Sequence, residues 1–403
     1  MSLSSQSVPA TRRPSPRRPA TVPTPPSPGE PELLAVPAGF CLRRFVERSP
    51  SPPLPPVVFD AEKRALQFLV YPPREPVSQA APKKAAKTAK NQAQASVPAD
   101  EDVAIEILIC QAAPGQPLLV YGLPVEKKTS RRAEQQLADS RLAALQQQIE
   151  VVLGLDEDLS LFYAMCQIDA QLRWAAQVEA GRSLRSPRVF EDLLKAVLRA
   201  RLPASQQAAV CARLCQHFGP PTTLNRRGFP AADALAGLTP AQLAKKLGIP
   251  APLAKIVRAL VQTCTDGRFY PDSLRRLPSG FAQLLSEAED DADAEARVLT
   301  AVDAELEWQL RVSGLLARLP GFGERACGLL YPLVGCHSEP YLDIDSLRAW
   351  QARTLRGRRQ KTPLRARSPE ADTVAQNILN RVGRYAIYAG LAQRLLQQDP
   401  PSV

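Results

Sequence analysis

The sequence predicts a mainly α protein that carries a small α+β antiparallel-sheet domain at its amino-terminal end, on three observations. From Gly154 onward, apolar residues recur at helical spacing and are interrupted only by Gly, Pro or Asn signals. Before that point, short apolar or alternating runs are followed by one long helical period. Late in the chain, Leu319-Pro320-Gly321-Phe322-Gly323 forms a tight turn between two helical stretches.

Composition sets the bounds. At 403 residues the chain can hold two or three domains, each with its own core, and 45% hydrophobic content is that of a globular protein. Its 40 prolines are about twice the usual share, which places part of the chain outside any core. A net charge of +11 favours an anionic partner, nucleic acid first, with a basic tail on a neutral domain as the bland alternative. The eight cysteines form no C-x-x-C pair and mostly neighbour Leu, Val or Ala, which reads as reduced core thiols in a non-secreted protein. Cys211 and Cys215 lie one helical turn apart with only His217 nearby, so a buried face is favoured over a metal site. No apolar run approaches a membrane span, and no secretory core is present.

In chain order, residues 1–30 form a basic Pro/Ser-rich tail with Arg12, Arg13, Arg17 and Arg18, expected to be disordered. The tail reads as nuclear, with an organelle transit segment as the alternative. Residues 31–152 form the α+β domain, with strands expected at 40–46, 57–59, 65–71, 103–110 and 117–121 and a long helix at 130–152. Within it, 72–101 is a disordered basic insertion carrying Lys83, Lys84, Lys87 and Lys90. Residues 153–403 are helical, with helices expected at 155–165, 187–201, 205–218, 240–247, 251–263, 283–318, 347–353 and 371–398. The acidic stretch 287–295 belongs away from a polyanion, and the arginine-rich run 353–367 suits either phosphate contacts or a solvated basic insertion.

Gly321 and Gly323 can take backbone angles closed to other residues, so this turn can present its amide N–H groups where the next helix begins. That is a phosphate-sized anion site. Two acids, Asp343 and Asp345, follow it.

These features resemble the helix-hairpin-helix-GPD superfamily of DNA glycosylases, in particular its alkylpurine (3-methyladenine) branch. Residues 155–163 look like that branch's opening segment, and 184–193 like its first domain helix. Phe229-Pro230 with Ala234-Leu235, then Leu247-Gly248, match later landmarks in order. Residues 329–335 match the helix after the hairpin, Ile344-Asp345-Ser346 the acidic motif, and 385–391 the closing helix.

The resemblance implies a two-lobed helical domain with a cleft between the lobes, and a monofunctional enzyme that removes damaged, in particular alkylated, purines from double-stranded DNA. It implies extrusion of the nucleotide and an abasic product, as in base excision repair. The family's acid maps onto Asp345 by its flanking residues and onto Asp343 by distance from the hairpin, Asp345 being preferred. Such a carboxylate stabilises an oxocarbenium-like sugar. Either acid also suits the N-cap of a helix beginning at Ser346.

The resemblance gives Gly321, Phe322 and Gly323 a backbone phosphate, held in relatives through a bound alkali-metal ion. Arg201 and Leu202 fall where relatives carry the wedge that fills the vacated stack. Arg325 stands where bifunctional members carry a Lys, and a guanidinium is no amine nucleophile, so no strand cleavage is implied. The four-cysteine iron–sulphur motif is absent, no catalytic cofactor is implied, and a monomer is expected. A non-catalytic nucleic-acid-binding scaffold is the alternative that the hairpin alone permits.

Overall fold

The computed structural model describes residues 31–49, 52–72, 103–122, 132–224, 226–275, 280–288, 292–354, 364–365 and 368–398. The expected basic tail lies outside the described residues, as do all but the first residue of the basic insertion and most of the arginine-rich run.

Five strands, β1 (Glu32–Leu34), β2 (Val58–Asp60), β3 (Ala65–Val70), β4 (Ile105–Cys110) and β5 (Leu118–Tyr121), form one antiparallel sheet in the order β1-β5-β4-β3-β2. Strands β3 and β4 pair Leu66 with Ile109 and Phe68 with Ile107. Alternation sends those side chains to one face, where they pack with Leu145, Ile149 and Val152 of the helix Arg132–Leu153. The three-residue β1 is too short to leave an alternating pattern in the sequence.

The stretch 40–46, expected as a strand, is instead the helix Leu42–Glu47. Its buried residues are Leu42, Phe45 and Val46, the i, i+3, i+4 spacing of one helical face and not the alternation of a strand. The Leu42 N–H donates to Gln111 Oε1 at 2.7 Å and ties this helix to the sheet domain.

The helical part has two cores. The first joins the helices Val189–Arg201, Ala204–Phe218, Pro240–Leu247, Ala251–Thr265 and Glu324–Val334 through Leu193, Val197, Leu214, Leu247, Val257 and Leu330. The second joins Ser160–Gln167, Ile344–Thr354, Pro369–Val382 and Ala389–Leu396 through Phe162, Leu347, Ile378, Tyr385 and Leu391. These are the two lobes expected, and the segment 335–343 passes from one to the other.

Three expected helices are cut differently. The first begins only at Ser160, whose N–H donates to Asp158 Oδ1 at 3.0 Å. The stretch 283–318 divides into Phe281–Ala288 and Ala292–Leu316. Residues 289–291, between the two helices, lie outside the described residues. The last helix bends at Ala386 (φ 44), between Pro369–Val382 and Ala389–Leu396. After the bend Gly390 lies against the loop that leaves the first lobe, and its N–H donates to His337 O at 2.7 Å. A Cβ on Gly390 would come 2.2 Å from Glu339 O, so the approach requires glycine.

Candidate nucleic-acid interface and acid site

The long helix Ala292–Leu316 runs into the turn, and the hairpin helix Glu324–Val334 leaves it. Gly321 has φ 86, and a Cβ there would lie 2.4 Å from Ile256 Cγ2, so both backbone and space require glycine. Gly323 is the helix N-cap, and it offers no side chain to accept the first-turn N–H groups. Those donors are thus left without a capping side chain. Phe322 is 7% exposed and belongs to the first core, and its N–H donates to Leu319 O at 3.1 Å. Its role is therefore to anchor the turn, and its amide is already used.

Arg201, the last residue of Val189–Arg201, is exposed and donates from Nη2 to Gly321 O at 3.2 Å. The fold thus brings the expected wedge position to the hairpin. Leu202 is 7% exposed and packs in the same core as Phe322. A leucine following an amphipathic helix is drawn to the apolar side by burial.

The two acids have different surroundings. The Asp345 side chain is 61% exposed and lies between two arginines, Arg325 Nη2 at 3.9 Å and Arg348 Nη1 at 3.5 Å. Surface pairs of this kind contribute little stability and exchange readily. Asp343 is half-buried and fixed at both oxygens. The Tyr341 hydroxyl donates to Oδ2 at 2.9 Å, and the Ser346 N–H donates to Oδ1 at 2.8 Å. Asp343 is therefore the N-cap of the helix Ile344–Thr354, with its carboxylate held in one orientation.

Tyr341 itself is held by the hairpin helix and by the last helix. Its ring packs on Gly328, where a Cβ would come 2.2 Å from Cδ2. Gln393, 1% exposed, accepts the Tyr341 N–H at 2.7 Å and donates from Nε2 to Tyr341 O at 2.7 Å and to Ser346 Oγ at 2.9 Å. Burial, then the charge of Asp343, pushes the Tyr341 hydroxyl well above its ordinary range, so it remains a donor at neutral pH.

Sequence reasoning missed Tyr341, Gln393 and Gly328. Tyr341 stands two residues before Asp343, a local signal that could have found it, whereas Gln393 lies 52 positions away from Tyr341. Phe162 and Tyr388 are sealed in the second core.

The arrangement gathers uncapped helix N–H groups, Arg201, Arg325 and Arg348, and one oriented carboxylate around the amino-terminal half of the hairpin helix. The donors and arginines suit a polyanion, and the carboxylate suits a developing positive charge. Among the described residues, no group of three or more His, Cys, Asp or Glu is placed to hold a metal ion, and Cys211 and Cys215 are buried in the first core.

No protein-family model matches the chain, and no curated protein matches it. Solved structures do. The structure of MBOgg1 in complex with a low-affinity DNA ligand is 13% identical, covers 92% of this chain and 97% of that chain, and superposes with a TM-score of 0.51. The 3-methyladenine DNA glycosylase from Archaeoglobus fulgidus is 15% identical over 92% of this chain and 97% of that one, with a TM-score of 0.49. An 8-oxoguanine glycosylase/lyase from Clostridium acetobutylicum is 13% identical over 73% of this chain and 84% of that one, at 0.44. At these identities the likeness to MBOgg1 is one of fold.

Proposed function

We propose that the chain is a monofunctional DNA glycosylase that hydrolyses the N-glycosidic bond of damaged, alkylated purines in double-stranded DNA and leaves an abasic site. The observation that carries this reading is the Asp343 carboxylate, fixed at both oxygens and held beside the hairpin helix. The fold it shares with MBOgg1, which was solved with a DNA ligand, adds support.

Departure of a purine builds positive charge on the sugar, and a preoriented carboxylate stabilises that charge more in the transition state than in the ground state. The same group can orient the attacking water. Asp343 takes this role in preference to Asp345, because an exposed side chain shared by two arginines has no fixed direction and its charge is already offset. Free N–H groups at the hairpin hold a phosphate, and Arg201 occupies the gap left by the extruded nucleotide. Arg325 stays protonated and cannot form the imine on which strand cleavage by an amine depends.

The test is single-turnover base release from duplexes carrying 3-methyladenine or ethenoadenine, with wild type, Asp343→Asn and Asp345→Asn compared. Release by the wild type, a loss of about a hundredfold or more in Asp343→Asn with DNA binding retained, and near-normal release in Asp345→Asn are expected. Binding without release from any alkylated duplex would make the chain a nucleic-acid clamp. Nicking without added base would overturn the monofunctional assignment.

A further inference from the structure

The amino-terminal domain reaches the helix that ends in Arg201. Val57 belongs to the core of the sheet, whereas Leu54, three residues earlier and 6% exposed, belongs to the first helical core. The strap 52–54 therefore lies along the helix Val189–Arg201. Lys195 Nζ donates to Leu54 O at 3.4 Å, and Arg199 Nη2 donates to Pro52 O. Lys195 and Arg199 stand four residues apart and so share one face of the helix. With Pro52, Pro53, Pro55 and Pro56 in it, the strap has few backbone angles free to yield. Half-buried Arg199 makes no ion pair among the described residues, so the Pro52 carbonyl is what holds its guanidinium.

A second contact fixes the carbonyl end of the same helix. Gln207, in the first turn of the helix Ala204–Phe218, donates from Nε2 to Leu202 O at 2.9 Å and to Arg199 O at 3.4 Å. A helix end leaves such carbonyls without donors of its own. Only Leu202 and Pro203 separate the two helices, and Leu202 is locked in the core. The backbone of Arg201 is thus held by the strap, by Gln207 and by Leu202, while its side chain stays exposed beside the Gly321 carbonyl.

We infer that the strap 52–54 and Gln207 position Arg201 for entry into the gap left by an extruded nucleotide, so that the amino-terminal domain serves base extrusion through Arg199. The inference rests on the glycosylase reading, in which Arg201 fills that gap. Backbone freedom remaining at residue 201 would be lost at the moment of insertion and would slow the step, and the strap removes it beforehand.

The test is stopped-flow fluorescence at saturating full-length protein, on a duplex carrying ethenoadenine with 2-aminopurine as its neighbour, which brightens as the stack opens. Arg199→Met and Gln207→Met keep side-chain length and lose the donor. Each should slow the rise about tenfold, as one lost hydrogen bond predicts, with duplex affinity and melting temperature close to wild type. Arg199→Lys, which keeps a donor, should restore most of the rate. Arg201→Ala should also slow the rise, and adding Arg199→Met to it should slow it no further, because the strap acts through Arg201. Wild-type rates in both methionine variants, additive losses in the double variant, or a slowing that only tracks a lower melting temperature overturns the inference. So does a wild type that leaves the stack closed. Opening without base release would sink the glycosylase reading and leave the positioning role standing, whereas base release with wild-type opening in both variants would do the reverse.

Discussion

The Tyr341 hydroxyl donates to Asp343 Oδ2 at 2.9 Å, while the tyrosine ring lies flush on Gly328 of the hairpin helix. The carboxylate's direction is therefore set by the element that also leaves the hairpin turn. A hydrogen bond to a charged group contributes about 1.5–3 kcal/mol, so its removal should be visible in rate. Tyr341→Phe keeps the ring and loses only the donor. We expect single-turnover base release to fall about tenfold, with duplex affinity and melting temperature nearly unchanged. An unchanged rate would show that the Ser346 amide orients Asp343 unaided.

Asp345 is expected to temper DNA binding. It sits between Arg325 and Arg348 and offsets charge that would otherwise face phosphate. Asp345→Asn should tighten duplex binding a few-fold at low salt, with the gain screened away as salt rises. Arg325→Ala should do the opposite and reduce the slope of log affinity against log salt by about 0.9, as one lost phosphate contact predicts. Slopes identical to wild type in a titration series would remove Arg325 from the interface.

The two hairpin glycines separate stability from recognition. Gly321→Ala places a methyl at φ 86 and against Ile256, and it should cost about 1–3 kcal/mol in urea unfolding. Gly323 has φ −98, and no atom lies within 4 Å of a Cβ built there. Gly323→Ala should therefore fold like wild type yet weaken duplex binding if, as proposed, the turn holds a phosphate, since its methyl would stand in the way. Unaltered affinity in a well-folded Gly323→Ala would remove the turn from the phosphate contact.

The helical lobes and most strands were legible because burial imposes a period on the sequence, as in 240–247, where the expected helix and the helix Pro240–Leu247 coincide. The turn was legible because only glycine suits Gly321. What the sequence could not separate was Asp343 from Asp345, since both flank the start of one helix. The distinction lies in a ring packed on Gly328 and in Gln393, contacts that close only when the last helix bends at Ala386. The burial of Leu202 was hidden for a related reason: a residue beside a surface arginine carries no local mark of the core it enters. The helix Leu42–Glu47 is so short that its three buried residues passed for a strand run.

The lobes are also joined by a buried charge cluster whose pH response can be predicted. Glu157 pairs with Arg185 Nη2 at 2.8 Å and bonds to the His337 ring. Burial acts to raise its carboxyl, but Arg185 and then His337 outweigh burial and hold it at about 2. A carboxyl lowered on folding stabilises the native state above its unfolded pKa of about 4.3, and that contribution disappears as pH falls toward 2. The loss amounts to about 3 kcal/mol. Asp156 and Asp192, which burial raises, act in the opposite sense, so the wild-type curve alone would conceal the effect. The comparison with Glu157→Gln largely cancels them. Urea unfolding of both proteins should show a stability difference that is largest near neutral pH and shrinks by a few kcal/mol between about pH 5 and about pH 2. A difference constant across that window would mean that Glu157 is not the ionised partner of Arg185 in the folded chain.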